Sequence, residues 1–135
     1  MLRSRRMRAD TGGVIGIGVD IIEIDRVERA IERGGDRFVR RVFSEEEIRY
    51  SRSRRRPASH FAARFAAKEC VIKALRVPPG LGWLWREIEV TRGAGPPSVR
   101  LTGRALDRAA SLGVAGFHLS MSHSTTHAVS VVVLV

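Results

Sequence analysis

The sequence predicts a single α+β domain in which short antiparallel strands pack with helices. Its 135 residues are sufficient for one hydrophobic core, and no internal repeat or linker divides them. Apolar residues recur at helical spacing through much of the first 75 residues. The rest of the chain holds short segments rich in β-branched residues, separated by turns that contain glycine or proline.

The first elements predicted are a strand and a helix. Residues 14–21, VIGIGVDI, are dense in β-branched residues and favour a strand. Ile24, Val27 and Ile31 then recur at the spacing of one helix face. We expect this helix to end at Gly34–Gly35, because glycine commonly terminates helices.

Two further helices are predicted next. Ser44 and Glu47 have the spacing of a capping box, which predicts a helix that begins at Glu45. We expect that helix to continue into the basic segment beyond it until Pro57 breaks it. Residues 59–75 form the most strongly helical stretch of the chain.

The second half of the sequence predicts short strands around one helix. Residues 78–82, PPGLG, predict a tight loop. Thr102 is expected to cap a helix that ends at Gly113. The last two strands are joined by a polar turn and predict a hairpin. The segments with strand character are 86–90, 98–102, 117–124 and 127–135.

The chain is strongly basic, with 24 lysines and arginines against 14 acidic residues and a net charge of +10. Such a surface attracts nucleic acid, anionic lipid, a phosphorylated ligand or an acidic protein, and charge alone does not choose among them. The single cysteine, Cys70, excludes an internal disulfide and favours a reducing compartment.

Residues 1–12 are rich in arginine and lack hydrophobic periodicity, so we expect a disordered tail ahead of a domain at 13–135. The apolar run VIGIGV is interrupted at Asp20 and has no small-residue cleavage site after it. The terminal VSVVVLV is too short to span a bilayer. We therefore expect a cytoplasmic protein that has no membrane partner.

Both lysines of the chain, Lys68 and Lys73, lie in one short segment, and all the other strongly basic residues are arginine. Glu69 and Lys73 are four residues apart, and a structural ion pair of about 0.3–0.5 kcal/mol would explain that spacing. Arginine would serve such a pair equally well, whereas the compact lysine ammonium can approach a single phosphate oxygen. Glu69 follows an apolar helical segment, where a half-buried carboxylate needs a cation or a metal ion.

Asp20 supplies a second carboxylate, expected where the first strand leaves the core, with a turn or helix cap as the alternative role. A metal-bridged phosphate site is predicted from three features together: two carboxylates from distant parts of the chain, a lysine and a basic surface. Magnesium suits such a site because it takes one or two protein carboxylates together with phosphate oxygens. The chain has no P-loop, and its single cysteine and scattered histidines disfavour zinc.

Residues 118–123, HLSMSH, alternate as a strand does, so they divide between two faces. Neither serine lies in a nucleophile elbow, and a structural role is the alternative for each histidine. One face carries His118, Ser120 and Ser122, and the other carries Leu119, Met121 and His123.

These segments, taken together and in this order, resemble the holo-acyl-carrier-protein synthases, the small bacterial, trimeric group of 4′-phosphopantetheinyl transferases. The resemblance covers roughly residues 14–135. It departs from the family at Cys70, where alanine is expected, and in the loop PPGLGWLW, which is richer in proline and tryptophan than usual. The matching segments are GIGVDIIEIDRV, FAARFAAKECVIKA, the glycine loop with REIEV, and HLSMSH.

The resemblance implies a single phosphopantetheinyl transferase domain that works as a homotrimer, with active sites between subunits. It implies a magnesium-dependent transfer of the phosphopantetheine arm of coenzyme A to a serine of acyl carrier protein, a reaction of fatty acid biosynthesis and lipid metabolism. The second product is adenosine 3′,5′-bisphosphate. Because the partner's serine is the nucleophile, the chain needs no activated nucleophile of its own.

The resemblance also implies roles for individual residues. Asp20 and Glu69 match the metal-binding carboxylates. Our own candidate for accepting the serine proton is Glu69, either directly or through a metal-bound water. Lys73 matches a lysine beside the diphosphate, where it would neutralise charge on the leaving group. The coenzyme A pocket of the family is matched by Arg64, Gly80, Gly82 and His123. Its docking surface for the acidic carrier is matched by Arg26, Arg33 and Arg37.

Two other functions remain as alternatives. A small basic RNA- or ribosome-binding protein would explain the net charge and the segment RSRRR at 52–56. The chain has few aromatic residues on which bases could stack, so we expect no nucleic-acid partner. A coenzyme A-binding regulator without catalytic activity would have no need for Asp20 and Glu69 together.

Overall fold

A three-stranded and a two-stranded antiparallel sheet pack against one central helix in the computed structural model, which describes residues 13–78, 82–92 and 95–135. The expected tail at 1–12 lies outside these residues. The elements are β1 (Gly16–Glu23), α1 (Ile24–Val42), α2 (Glu45–Arg52), α3 (Pro57–Ala74), a 3₁₀ helix (Gly82–Glu87), β2 (Ile88–Thr91), β3 (Ser98–Leu101), α4 (Gly103–Ser111), β4 (Phe117–His123) and β5 (His127–Leu134).

The larger sheet has the strand order β1-β5-β4, with every neighbouring pair antiparallel. The predicted terminal hairpin is confirmed, because Phe117 on β4 is paired with Leu134 on β5. The smaller sheet pairs β2 with β3, which lie within or close to the two short segments predicted as strands at 86–90 and 98–102. The α+β class is therefore confirmed.

Helix α3 lies directly on β1 because two glycines leave room for it. A Cβ on Gly16 would lie 2.5 Å from the carbonyl oxygen of Ala74, and a Cβ on Gly18 would overlap the carbonyl group of Cys70. The next residue on the same strand face is Asp20, since side chains alternate along a strand. This close approach brings the Asp20 carboxylate against α3.

The first helix does not end at Gly34–Gly35. Gly35 has φ 57° and ψ −150°, which interrupts the helical backbone, but α1 resumes and continues to Val42. Val39 and Val42 are 1% and 0% exposed, so burial of these two side chains holds the second part of the helix in place. The glycine pair therefore produces a kink where the sequence predicts an end.

The capping box is confirmed, but the role expected for the proline is wrong. The Ser44 hydroxyl accepts from the Glu47 backbone N–H at 3.3 Å, and the Glu47 carboxylate accepts from the Ser44 N–H at 2.8 Å. Helix α2 ends at Arg52, and Pro57 begins α3. Proline suits the first turn of a helix, because the backbone N–H that it lacks has no partner there.

Thr102 takes the position before α4, as expected, but its side chain makes no capping hydrogen bond. The Glu87 carboxylate accepts from the Ala105 backbone N–H instead, at 3.0 Å. Glu87 closes the 3₁₀ helix, an element that the sequence does not predict. The helix start was visible in the sequence, whereas the residue that caps it comes from a different element.

Lys68 has a structural role. Its side chain is fully buried, and its ammonium lies 2.7 Å from the Glu47 carboxylate. It also donates to the backbone carbonyls of Trp85, at 2.8 Å, and of Ile88. Burial lowers the pKa of Lys68, and the charge of Glu47 opposes that change. Since Glu47 also accepts from the Val90 N–H at 2.9 Å, this pair joins α2, α3, the 3₁₀ helix and β2.

No helix among the described residues is long and apolar enough to cross a membrane.

Candidate functional site

Asp20 lies inside β1, opposite Ser130 of β5, and not at the strand end that the sequence predicts. The alternative of a turn or helix-capping aspartate is also wrong, because strand residues flank it on both sides. Its side chain is 18% exposed and accepts a hydrogen bond from Lys73 on α3, with an Oδ1–Nζ distance of 2.8 Å.

Lys73 pairs with Asp20 and not with Glu69, although Glu69 is one turn away on the same helix. The ammonium also donates to the carbonyl oxygen of Val19 at 3.2 Å. The hydrogen bond with Asp20 raises the pKa of Lys73, and burial opposes this only in part. Lys73 therefore stays charged at neutral pH, which suits a fixed cation and does not suit a proton acceptor.

Glu69 is half-buried, as expected from the apolar segment before it. Its Oε1 accepts a hydrogen bond from the indole Nε1 of Trp85, with a distance of 2.7 Å. No role is predicted for this tryptophan from the sequence, because the 3₁₀ helix that presents it is not predicted. The only signal was the unusual tryptophan content of the segment.

Asp20 and Glu69 line one cavity of about 380 Å³, which we call the Asp20 cavity. The two carboxylates that the sequence assigns to one site therefore border the same space. Trp85 forms part of the wall, and Arg26 brings a positive charge to the rim from α1. Other lining residues are apolar, and they include Ile22, Val27, Phe38 and Phe65.

The oxygen donors of the Asp20 cavity fit magnesium better than zinc. Within the described part of the chain, no group of three or more histidine, cysteine or acidic side chains could hold a metal ion. Two carboxylates are sufficient for Mg²⁺, which completes its octahedron with water and phosphate oxygens. A zinc site needs more protein ligands, usually with nitrogen or sulfur among them.

Arg64 and His123 belong to a second group of side chains, which we call the Tyr50 cluster: Tyr50, His60, Arg64 and His123. The Arg64 guanidinium lies 4.1 Å from the centre of the Tyr50 ring. The ring centres of Tyr50 and His60 are 5.7 Å apart, and those of His60 and His123 are 5.9 Å apart. The predicted strand alternation holds, because Leu119 is buried and Met121 half-buried on the face that carries His123, whereas His118, Ser120 and Ser122 are exposed.

The Tyr50 cluster is suited to an anion. Three guanidinium groups surround the Tyr50 ring, since Arg54 and Arg92 lie 4.5 and 5.6 Å from its centre. Arg64 is only 2% exposed, and its Nε has no partner among the described residues. Burial lowers the pKa of His60, and Arg64 lowers it further. His60 is therefore neutral at pH 7, and the arginines carry the charge. Tyr50 and His60 were not predicted from the sequence.

The predicted site residues fall into two places on one chain. Asp20 and Glu69 line the Asp20 cavity, whereas Arg64 lines a separate cavity of about 260 Å³ beside Tyr50. Gly80 lies outside the described residues, and Gly82 begins the 3₁₀ helix. Among the described residues, the two expected metal-binding carboxylates therefore line a different cavity from Arg64.

The arginines expected to dock the carrier all lie on α1, including Arg37, because the helix continues past its predicted end. Arg26 and Arg33 line a shallow pocket with Arg29. Arg37 is exposed on the same helix, beyond the kink at Gly35. Since Arg26 also lines the Asp20 cavity, the basic surface of α1 adjoins the two carboxylates.

The two carboxylates with Lys73 beside them, and the arginines around Tyr50, carry the charges that a phosphorylated ligand and its metal ion would need. The chain belongs to the 4′-phosphopantetheinyl transferase superfamily, whose family model matches residues 16–132. It is 42% identical over 124 residues to a holo-[acyl-carrier-protein] synthase of Anaeromyxobacter sp. (strain K), covering 90% of this chain and 95% of that protein.

Solved structures of the same group share the fold. The holo-[acyl-carrier-protein] synthase of Neisseria meningitidis superposes with a TM-score of 0.79 at 30% identity, over 90% of this chain and 98% of that one. The Helicobacter pylori holo-[acyl-carrier-protein] synthase in complex with coenzyme A gives a TM-score of 0.74 at 30% identity, over 88% and 99% of the two chains.

The exchange Lys73→Arg tests whether this ammonium acts on a ligand. Arginine keeps the charge and the helix propensity, so we expect the free energy of unfolding to change by less than about 1 kcal/mol. Its wider guanidinium cannot replace a compact ammonium beside Asp20 and a phosphate, so the maximal rate should fall by roughly tenfold or more, about 1.4 kcal/mol in the barrier. Steady-state kinetics and urea unfolding measure the two quantities. A fully active variant would mean that the ion pair is only structural.

Proposed function

We propose that the chain transfers the 4′-phosphopantetheine group of coenzyme A to a serine of apo-acyl carrier protein and releases adenosine 3′,5′-bisphosphate. Relatives that share about 40% of its residues are holo-[acyl-carrier-protein] synthases, and one solved relative is a complex with coenzyme A. The observation that carries the proposal is the shared cavity of Asp20 and Glu69, with Lys73 hydrogen-bonded to Asp20.

Asp20 and Glu69 are the residues that would hold magnesium. The ion would supply charge neutralisation for the diphosphate and would polarise the phosphorus that is attacked. The two carboxylates come from β1 and α3, and the close contact of these elements fixes their separation. The protein thus contributes a rigid pair of oxygen donors and leaves the remaining ligand positions to water and substrate.

Glu69 is our candidate for the general base. The serine hydroxyl of the carrier gives its proton to this carboxylate while its oxygen attacks the phosphorus that bears the pantetheine arm. The bond from that phosphorus to the bridging oxygen breaks, and adenosine 3′,5′-bisphosphate leaves with that oxygen. Lys73 stays protonated throughout and stabilises the negative charge that grows on the leaving group.

The Tyr50 cluster is our candidate for binding the phosphates of coenzyme A, with Arg64 and His123 in the roles that the resemblance implies. Coenzyme A carries a diphosphate and a 3′-phosphate, so its pocket needs several cations. Arg64, Arg54 and Arg92 are already gathered around one ring. A site between two protomers, as the resemblance implies, would combine this cluster with the Asp20 cavity.

The outer face of the larger sheet supports a homotrimer. Ile17, Val19 and Ile21 alternate along β1 and are 65%, 57% and 65% exposed, and Val131 of β5 lies beside Val19. A contiguous apolar surface of this kind is typical of a protein–protein interface. Symmetric closure of identical chains would bury this surface.

The assembly is tested by sedimentation equilibrium, where we expect three times the 15.0 kDa mass of the chain. Ile17→Lys places a charge on the apolar face and should give smaller species with reduced activity. Leu106→Lys is the matched control, because Leu106 is 50% exposed on α4, away from this sheet. A monomeric wild-type enzyme with full activity would contradict the trimer.

The basic surface of α1 is our candidate for docking the acidic carrier, through Arg26, Arg33 and Arg37. Opposite charges raise the rate of encounter and are screened over about 8–10 Å near physiological salt. We expect Arg33→Glu to raise the KM for the carrier severalfold without changing the KM for coenzyme A. The KM of the wild type for the carrier should rise with ionic strength.

Arg76→Glu provides the control, since it reverses an exposed charge that is not on α1. It should leave the KM for the carrier near that of the wild type. If Arg33→Glu and Arg76→Glu raised the KM for the carrier equally, the net charge of the protein, and not the surface of α1, would recruit the carrier.

The transfer itself is tested by mass spectrometry of apo-acyl carrier protein incubated with coenzyme A and magnesium. The carrier should gain the mass of one phosphopantetheine group. Asp20→Asn and Glu69→Gln should keep the melting temperature but lose activity, and excess magnesium should restore part of the activity to Asp20→Asn alone. An unmodified carrier with the wild-type enzyme would contradict the function. Near-normal turnover in either variant would contradict the two-carboxylate site.

We place this reaction in the cytoplasm, within the fatty acid biosynthesis that uses acyl carrier protein. Burial raises the pKa of Cys70 to about 12, and its thiol donates to the Ser130 carbonyl at 3.0 Å. A buried, protonated thiol of this kind is unreactive, and the single cysteine of the chain cannot form an internal disulfide, as expected in a reducing compartment. Fractionation of cells would contradict this location if the activity were found outside the cytoplasm.

A further inference from the structure

Trp85 contacts the proposed general base directly. Its indole Nε1 donates to Oε1 of Glu69 at 2.7 Å, and both residues line the Asp20 cavity. An indole N–H is a donor only, so it cannot take a proton from the carboxylate. A hydrogen bond to an ionised group is stronger than one between neutral groups. No other hydrogen-bond partner of the Glu69 carboxylate is found among the described residues.

The indole is itself held from several directions. Its ring packs against Phe65, with 5.7 Å between ring centres. Its backbone carbonyl accepts from Lys68 at 2.8 Å, and Lys68 is fixed by its buried pairing with Glu47. Glu69 follows Lys68 directly on α3. The same buried lysine therefore anchors the backbone of the donor and lies next to the acceptor.

We propose that Trp85 is a positioning residue for Glu69, and this inference rests on the proposed function. The indole holds Oε1 in place, so that one oxygen of the carboxylate is anchored while Oε2 remains available to the cavity. A side chain with several freely rotating bonds is thereby limited to one orientation before substrate binds. The resemblance supplies no such role, since Trp85 lies in the loop segment where this chain departs from the family.

Trp85→Phe is the test, because it removes the N–H and keeps an aromatic ring against Phe65. We expect kcat to fall by roughly tenfold, as for the loss of a hydrogen bond to a charged group. The KM for coenzyme A should change by less than about twofold, and the melting temperature should stay near that of the wild type. A purely structural role would lower the melting temperature and leave kcat of the folded enzyme intact.

A double-mutant cycle separates action through Glu69 from any other effect. Glu69→Asp shortens the side chain and withdraws the carboxylate from the indole. If Trp85 acts through Glu69, adding Trp85→Phe to Glu69→Asp should cost little further activity. If the fold-losses of activity in Trp85→Phe and Glu69→Asp multiplied in the double variant, the proposal would be overturned.

The hydrogen bond is also measurable without activity, from the indole N–H resonance of Trp85 in an NMR spectrum. Glu69→Ala should shift this resonance, whereas Asp107→Ala should not, because Asp107 is an exposed carboxylate on α4. An unchanged resonance in Glu69→Ala would overturn the contact. If the wild-type enzyme left the carrier unmodified, the proposed function would fail. If it modified the carrier and Trp85→Phe did so equally fast, only the positioning role would fail.

Discussion

The close approach of α3 to β1 is the constraint on which the candidate site depends. Gly16 and Gly18 leave no side chain between the strand and the helix, so the backbone of α3 lies where a Cβ would otherwise stand. Asp20 is the next residue on that strand face, and Lys73 on α3 reaches it at 2.8 Å. A wider separation of the two elements would break this pair and move Glu69 away from Asp20.

A second constraint holds the other wall of the Asp20 cavity. The buried pair of Lys68 and Glu47 bonds to backbone groups of Trp85, Ile88 and Val90. Removing one partner of a buried ion pair typically costs about 3–5 kcal/mol, because the other charge is left without compensation. The pair therefore fixes where the 3₁₀ helix lies, and through Trp85 it reaches the Glu69 carboxylate.

The sequence predicted the elements well and the junctions between them less well. It located the first strand, the capping box at Ser44 and the terminal hairpin, because each of them depends on a local pattern of side chains. It was wrong at Gly35 and Pro57. At Gly35 a glycine pair allows either an end or a kink, and the buried side chains of Val39 and Val42 select the kink.

By itself the sequence determined the α+β class, the resemblance to one family and the candidate residues Asp20, Glu69 and Lys73. Only the tertiary structure decided which groups meet. Lys68 and Lys73 are five residues apart on one helix, yet one is buried against Glu47 and the other reaches Asp20. The partner of Glu69 is an indole from an element that has no local signature. Helical spacing specifies the face of a residue on its own helix, whereas its partners depend on which distant segments pack there.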